Sequence, residues 1–85
     1  MAFEIRYKAS AARDLEKLPK QTAARIVDSI NSTLPDNPYA GKALKGKYKG
    51  LYRLRVGDFR VIYTVLREVV VVLVLKIADR KEVYR

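Results

Sequence analysis

Leu51-Tyr52-Arg53-Leu54-Arg55-Val56-Gly57-Asp58-Phe59-Arg60-Val61-Ile62-Tyr63-Thr64-Val65 holds two runs of β-branched and aromatic residues separated by Gly-Asp. That pattern predicts a hairpin closed by a two-residue turn. Such a turn leaves one register, with Val56 opposite Phe59, Arg55 opposite Arg60, Leu54 opposite Val61 and Arg53 opposite Ile62. Strand side chains alternate, so Tyr52, Leu54, Val56, Phe59, Val61 and Tyr63 share one face and Arg53, Arg55 and Arg60 share the other. The first face reads as core. The second reads as a cationic groove.

Upstream, Tyr39 to Lys49 reads as a loop, with Gly41, Gly46 and Gly50 in or beside it and the lysines Lys42, Lys45, Lys47 and Lys49 along it. Pro35-Asp36-Asn37-Pro38 breaks a helix before that loop, and Ala23, Ile26, Val27, Ile30 and Leu34 form the apolar stripe of the helix it ends. A shorter helix precedes it, with Ser10 as the expected N-cap, Ala11, Leu15 and Leu18 at helical spacing, and Pro19 as the stop. Phe3 to Tyr7 alternates as a strand with one buried face. Downstream, Val69 to Ile77 is almost wholly apolar and β-branched, as in a central strand buried on both faces. The order is β-α-α-β-β-β. The expected fold is α+β, an antiparallel sheet with two N-terminal helices packed on one face, forming a single domain over residues 1–85.

Composition narrows the chemistry. The chain has no cysteine and no histidine, so disulfides, thiol nucleophiles, the usual zinc ligands and the usual neutral-pH acid/base group are absent. We expect no metal and no cofactor. The N-terminus lacks the basic region and apolar core of a secretion signal, and the longest apolar run, Val69 to Leu75, falls far short of the roughly 20 residues that span a bilayer. A cytoplasmic protein with no membrane partner is expected.

Lys and Arg outnumber Asp and Glu by 18 to 9, a formal charge of +9, which implies a polyanionic partner. The distribution of charge sharpens this. From Lys42 to Arg60 there are seven cations and one acid, Asp58, too few local carboxylates to pair them. Like charges directly opposite on a strand pair cost on the order of 0.2–1 kcal/mol, so Arg55 facing Arg60 calls for a compensating anion. Phosphate suits the guanidinium fork. Arg80 and Tyr84 follow the last strand, whose end lies beside the start of the preceding strand, so both are expected to reach the same groove.

The ordered set of these segments resembles the RelE/ParE toxin family, and within it the RelE-like mRNA interferases. The resemblance runs from Ile5 to Tyr84 and is carried by Ala12-Arg13-Asp14-Leu15 with Leu18-Pro19, Asn37-Pro38, Leu44-Lys45-Gly46, Tyr52 through Tyr63, and Arg80-Lys81-Glu82-Val83-Tyr84. It implies the toxin of a type II toxin–antitoxin system, an endoribonuclease that cuts mRNA in the ribosomal A site without a metal, by attack of a 2′-hydroxyl on the adjacent phosphate.

By that resemblance Arg53, Arg55, Arg60, Arg80 and Tyr84 are the catalytic residues, with Tyr84 stacking on a base, while the charge of the loop leads us to expect Lys42, Lys45, Lys47 and Lys49 to contact ribosomal RNA phosphates as positioning charges. Arg53 and Arg55 stand where well-characterised members carry lysines, and Asp79 stands where several branches carry a histidine. An arginine is a poor proton acceptor, which leaves Tyr84, Lys45, Lys47 and Lys49 as candidates for the general base. The implied partners are the ribosome with its mRNA and a RelB-like antitoxin, in a complex for which a heterotetramer binding its own operator DNA is one form. A ParE-like toxin that poisons DNA gyrase and has no nuclease activity is the alternative function on the same fold.

Overall fold

The computed structural model describes residues 2–79. Its elements are β1 (Glu4–Tyr7), α1 (Ala9–Glu16), α2 (Lys20–Thr33), β2 (Lys42–Ala43), β3 (Tyr52–Val56), β4 (Phe59–Leu66) and β5 (Val71–Asp79), with short 3₁₀ turns at Gly46–Tyr48 and Arg67–Val69. The five strands form one sheet in the order β1-β5-β4-β3-β2. Neighbours from β2 to β5 are antiparallel, while β1 lies parallel to β5 at the edge. The sheet is therefore mixed. A parallel neighbour requires a long crossover, and here the helices, β2, β3 and β4 all intervene before β5 returns beside β1. The segment read as pure loop also contributes a short edge strand, in which Lys42 pairs with Arg53 and Ala43 with Tyr52.

The β3–β4 hairpin has the expected register, Val56 to Phe59, Arg55 to Arg60, Leu54 to Val61 and Arg53 to Ile62. Gly57 has φ 60°, whereas Asp58 stays out of the positive-φ region, the pattern of a type II′ turn that places glycine first. One face of the hairpin meets the helices: Val56, Val61 and Tyr63 join Ala11, Ile26, Ile30, Leu34, Val72, Val74 and Ile77 in one buried cluster. Tyr52, Leu54 and Phe59 pack against that cluster. Among the described residues no helix is long and apolar enough to cross a membrane.

A bulge in β5 decides what its two faces carry. Tyr63 pairs with Val74 and Ile62 with Lys76, leaving Leu75 as an extra residue. Val72 and Val74 are fully buried toward the helices, and Ile77 joins them at 4% exposure, an odd spacing that strict alternation forbids. Helix α1 satisfies backbone groups at the bulge. Ser10 Oγ donates to the Leu75 carbonyl at 2.9 Å, and the Ile77 N–H donates to Asp14 Oδ2 at 3.0 Å. Ser10 and Asp14 lie four residues apart and so share one face of α1. Ser10 is thus not the helix cap: Lys8 holds the N-cap position without a side-chain hydrogen bond.

A second polar contact ties the chain after α2 to the sheet. The Tyr63 hydroxyl, on a fully buried residue, donates to the Pro38 carbonyl at 2.8 Å and accepts from the Gly41 N–H at 2.9 Å. A Cβ on Gly41 would lie 2.7 Å from both the Arg53 carbonyl oxygen and the Tyr63 hydroxyl, so glycine is required by close approach. Tyr52 stacks on Tyr63 with ring centroids 5.5 Å apart, and Tyr39 meets Tyr52 edge-on at 5.4 Å. Burial pushes the Tyr63 phenol above its ordinary value of 10.0, opposed by the Gly41 N–H and reinforced by Tyr52.

Two outcomes follow from these contacts. Asp14→Ala strips the partner from the N–H of a buried residue and should cost about 1–3 kcal/mol in urea unfolding, with Asp14→Asn recovering most of it through its carbonyl oxygen. Because folded Tyr63 keeps its proton where the unfolded phenol loses it, its contribution is complete below about pH 10 and disappears as pH rises through the folded value. Tyr63→Phe should be about 1–3 kcal/mol less stable at neutral pH, with Pro38 and Gly41 left unpaired, and should show a shallower alkaline decline. Burial also raises Tyr7, which should supply the slope that remains.

Candidate nucleic-acid interface

The sheet face turned away from the core cluster gathers the cations. Two rows cross it: Lys42, Arg53, Ile62 and Lys76 in one, and Arg55, Arg60 and Ala78 in the next. Members of a row are directly opposite one another across adjacent strands and therefore share a face. Ile62 and Ala78 are 7% and 5% exposed and form an apolar floor between the charges.

Arg60 is the hub of the group. Arg55 is its direct neighbour on β3, and Arg53 and Lys76 are its diagonal neighbours on either side. The Arg60 Nε is buried with no hydrogen-bond partner among the described residues. A buried guanidinium nitrogen left without an acceptor is costly, and a phosphate oxygen would satisfy it. Arg55, which is exposed, folds back along the turn, its Nε donating to the Gly57 carbonyl at 3.3 Å.

Strands β3, β4 and β5 bring no carboxylate to this face, and Glu4 of β1, which shares it opposite Val71, is already paired with Arg6 Nε at 2.8 Å. Asp58 lies in the turn, and Asp79, opposite Phe59, belongs to the other side of the sheet. This face thus joins fixed positive charge to a shallow apolar surface, an arrangement suited to holding and polarising a phosphodiester rather than to carboxylate acid/base chemistry.

The lysines expected to act together are divided by the fold. Lys42 sits on β2 directly opposite Arg53 and extends the cationic row to the sheet edge. Lys45, Lys47 and Lys49 are exposed on the turn that joins β2 to β3, with Lys47 Nζ 5.3 Å from the centre of the Tyr48 ring. Arg80 and Tyr84 lie outside the described residues. Lys76, by contrast, joins the face although its position in an apolar run gave no hint of it. Counting alternate residues from Val72 and Val74 places Lys76 in the core, and the bulge at Leu75 reverses that. Ser10 and Asp14 are the sequence signal for the reversal, since two small polar side chains one helical turn apart face a strand whose regular pairing would leave them no role.

Known proteins agree with this architecture. The model of the ParE toxin of the type II toxin–antitoxin system parDE matches residues 5–84. Toxin RelE of Mycobacterium tuberculosis is 37% identical over 84 residues, spanning 98% of this chain and 87% of that protein. In the RelBE2 toxin–antitoxin complex of the same organism, one chain superposes with a TM-score of 0.88 at 30% identity, covering 94% of this chain and all of its counterpart. The archaeal RelE–RelB complex of Pyrococcus horikoshii gives a TM-score of 0.73 at 28% identity over 96% of this chain and 99% of the other. With the match reaching from β1 past the end of β5, the chain belongs to the RelE/ParE family, the toxins of type II toxin–antitoxin systems.

Proposed function

We propose that this toxin is a ribosome-dependent endoribonuclease that cuts mRNA in the A site and so stops translation. The observation that carries the reading is the buried, unpartnered Nε of Arg60, flanked by Arg53 and Arg55 on a face to which β3, β4 and β5 contribute no carboxylate. The RNA 2′-oxygen attacks the adjacent phosphorus, the bond to the 5′-oxygen breaks, and the products are a 2′,3′-cyclic phosphate and a 5′-hydroxyl. Arg60, with Arg53 and Arg55, stabilises the charge that accumulates on the phosphorane oxygens, where preorganised donors act most strongly. Arg80 adds to that charge and Tyr84 stacks on a base to hold the 2′-oxygen in line. The proton acceptor is drawn from Tyr84 and the loop lysines. Lys42, Lys45, Lys47 and Lys49 hold the toxin against ribosomal RNA through phosphate contacts, which position without reading sequence.

The partner is an antitoxin of RelB type, supported by two related toxins having been solved as complexes with theirs. A heterotetramer that binds its operator DNA is the proposed resting form. A ParE-like attack on DNA gyrase is the second reading, favoured by the family model that matches the chain.

One assay separates the two readings. Purified toxin added to ribosomes carrying mRNA should cleave the A-site codon, and should leave supercoiling by gyrase unaffected. Arg60→Ala should slow cleavage by about 10²–10³-fold, the usual cost of one transition-state donor, while its circular dichroism is retained. Intact mRNA together with blocked gyrase would overturn the proposal.

A further inference from the structure

Lys76 is the one charged residue between Val69 and Ala78, and the bulge at Leu75 turns it from the core onto the cationic face. It is exposed, stands directly opposite Ile62, and is diagonal to Arg60 across the β4–β5 pair. Diagonal neighbours on a sheet lie about 7–8 Å apart, within reach of one ligand for side chains as long as Lys and Arg. Beyond Val74 the pairing with β1 has ended, so Lys76 borders the open end of the sheet face.

Repulsion from Arg60 and Arg53 makes a lysine an unfavourable choice for an otherwise apolar strand. Returning Ile77 to the core needs only the bulge and leaves the identity of residue 76 free. Its directly opposite and diagonal partners on β4 are Ile62, Arg60 and Thr64, none of which can neutralise it, and among the described residues it has no ion pair. A cation there gains from a bound polyanion and from no described neighbour.

We propose that Lys76 is a further RNA-binding residue of this face, contacting a phosphate next to the one held at Arg60. The inference rests on the endoribonuclease reading and extends its site across β4 to β5. Lys76 acts as a point charge, positioning the strand so that the scissile phosphate falls among the arginines. Ser10 and Asp14 support it at one remove, by satisfying the backbone of the bulge that aims it.

The test is binding of a short single-stranded RNA, 2′-O-methylated throughout so that it cannot be cut, measured over a salt series. Each phosphate contact on a single strand contributes about 0.7 to the slope of log affinity against log salt. Lys76→Ala should lower the slope by about 0.7, and Lys76→Arg should restore it. Lys20→Ala, which removes an exposed charge at the start of α2, should leave the slope unchanged. The proposal is overturned if Lys76→Ala matches the wild type, or if Lys20→Ala lowers the slope equally, since that would be an effect of net charge alone. Wild-type protein with no salt-dependent RNA binding would also overturn this proposal, whereas the endoribonuclease reading itself stands or falls on cleavage of A-site mRNA on ribosomes.

Discussion

A two-residue turn leaves a hairpin no freedom of register, and between Val56 and Phe59 that constraint settles which side chains meet. Leu54 must face Val61, and Arg55 must face Arg60. Slipping β3 by one residue would turn Arg53 and Arg55 toward the buried cluster of Ala11, Ile26 and Ile30 and take Leu54 and Val56 out of it. Burying the apolar set under the helices therefore forces the arginines together on the opposite surface. The core and the cationic face are two results of the same pairing.

The bulge in β5 extends this coupling across the sheet. A strand in strict alternation could give either Val74 or Ile77 to the core, but not both. Inserting Leu75 admits both and delivers Lys76 to the arginine side. The insertion disturbs the ladder, and α1 compensates through Ser10 and Asp14. At the other end of the molecule Tyr63 performs a similar service for the segment after α2, holding Pro38 and Gly41 so that Lys42 can pair with Arg53. Each cation of this face is placed by a polar contact made on the helical side of the sheet or by a backbone register.

Local signals were enough to read much of this from the sequence. Gly57-Asp58 between two alternating runs specifies its own hairpin, and Ile26, Ile30 and Leu34 mark the inner side of α2 by spacing alone. What escaped depends on contacts between distant segments. Nothing near Phe3 or Val71 reveals that β1 lies parallel to β5, because that pairing is decided by the path of the whole chain. Ser10 resembles a helix cap until β5 supplies a carbonyl for it. Lys42 and Ala43 become a strand only because β3 offers an edge. Lys76 was hidden because an alternating pattern cannot reveal an inserted residue. Arg80 and Tyr84, read as members of the site from their place after the last strand and from the resemblance, lie outside the described residues.

If the proposed endoribonuclease reading holds, Arg55 and Arg60 face each other at a cost in stability that an RNA phosphate offsets in the complex. The melting temperature of Arg55→Ala, with and without a non-cleavable RNA, tests this most directly. Relief of about 0.2–1 kcal/mol of repulsion corresponds to a rise of roughly 1–6 °C in a domain of this size. The free variant should melt higher than the wild type, and RNA should raise the wild-type melting temperature by the larger increment. A variant that melts lower when free, yet is stabilised by RNA as much as the wild type, would contradict this reading.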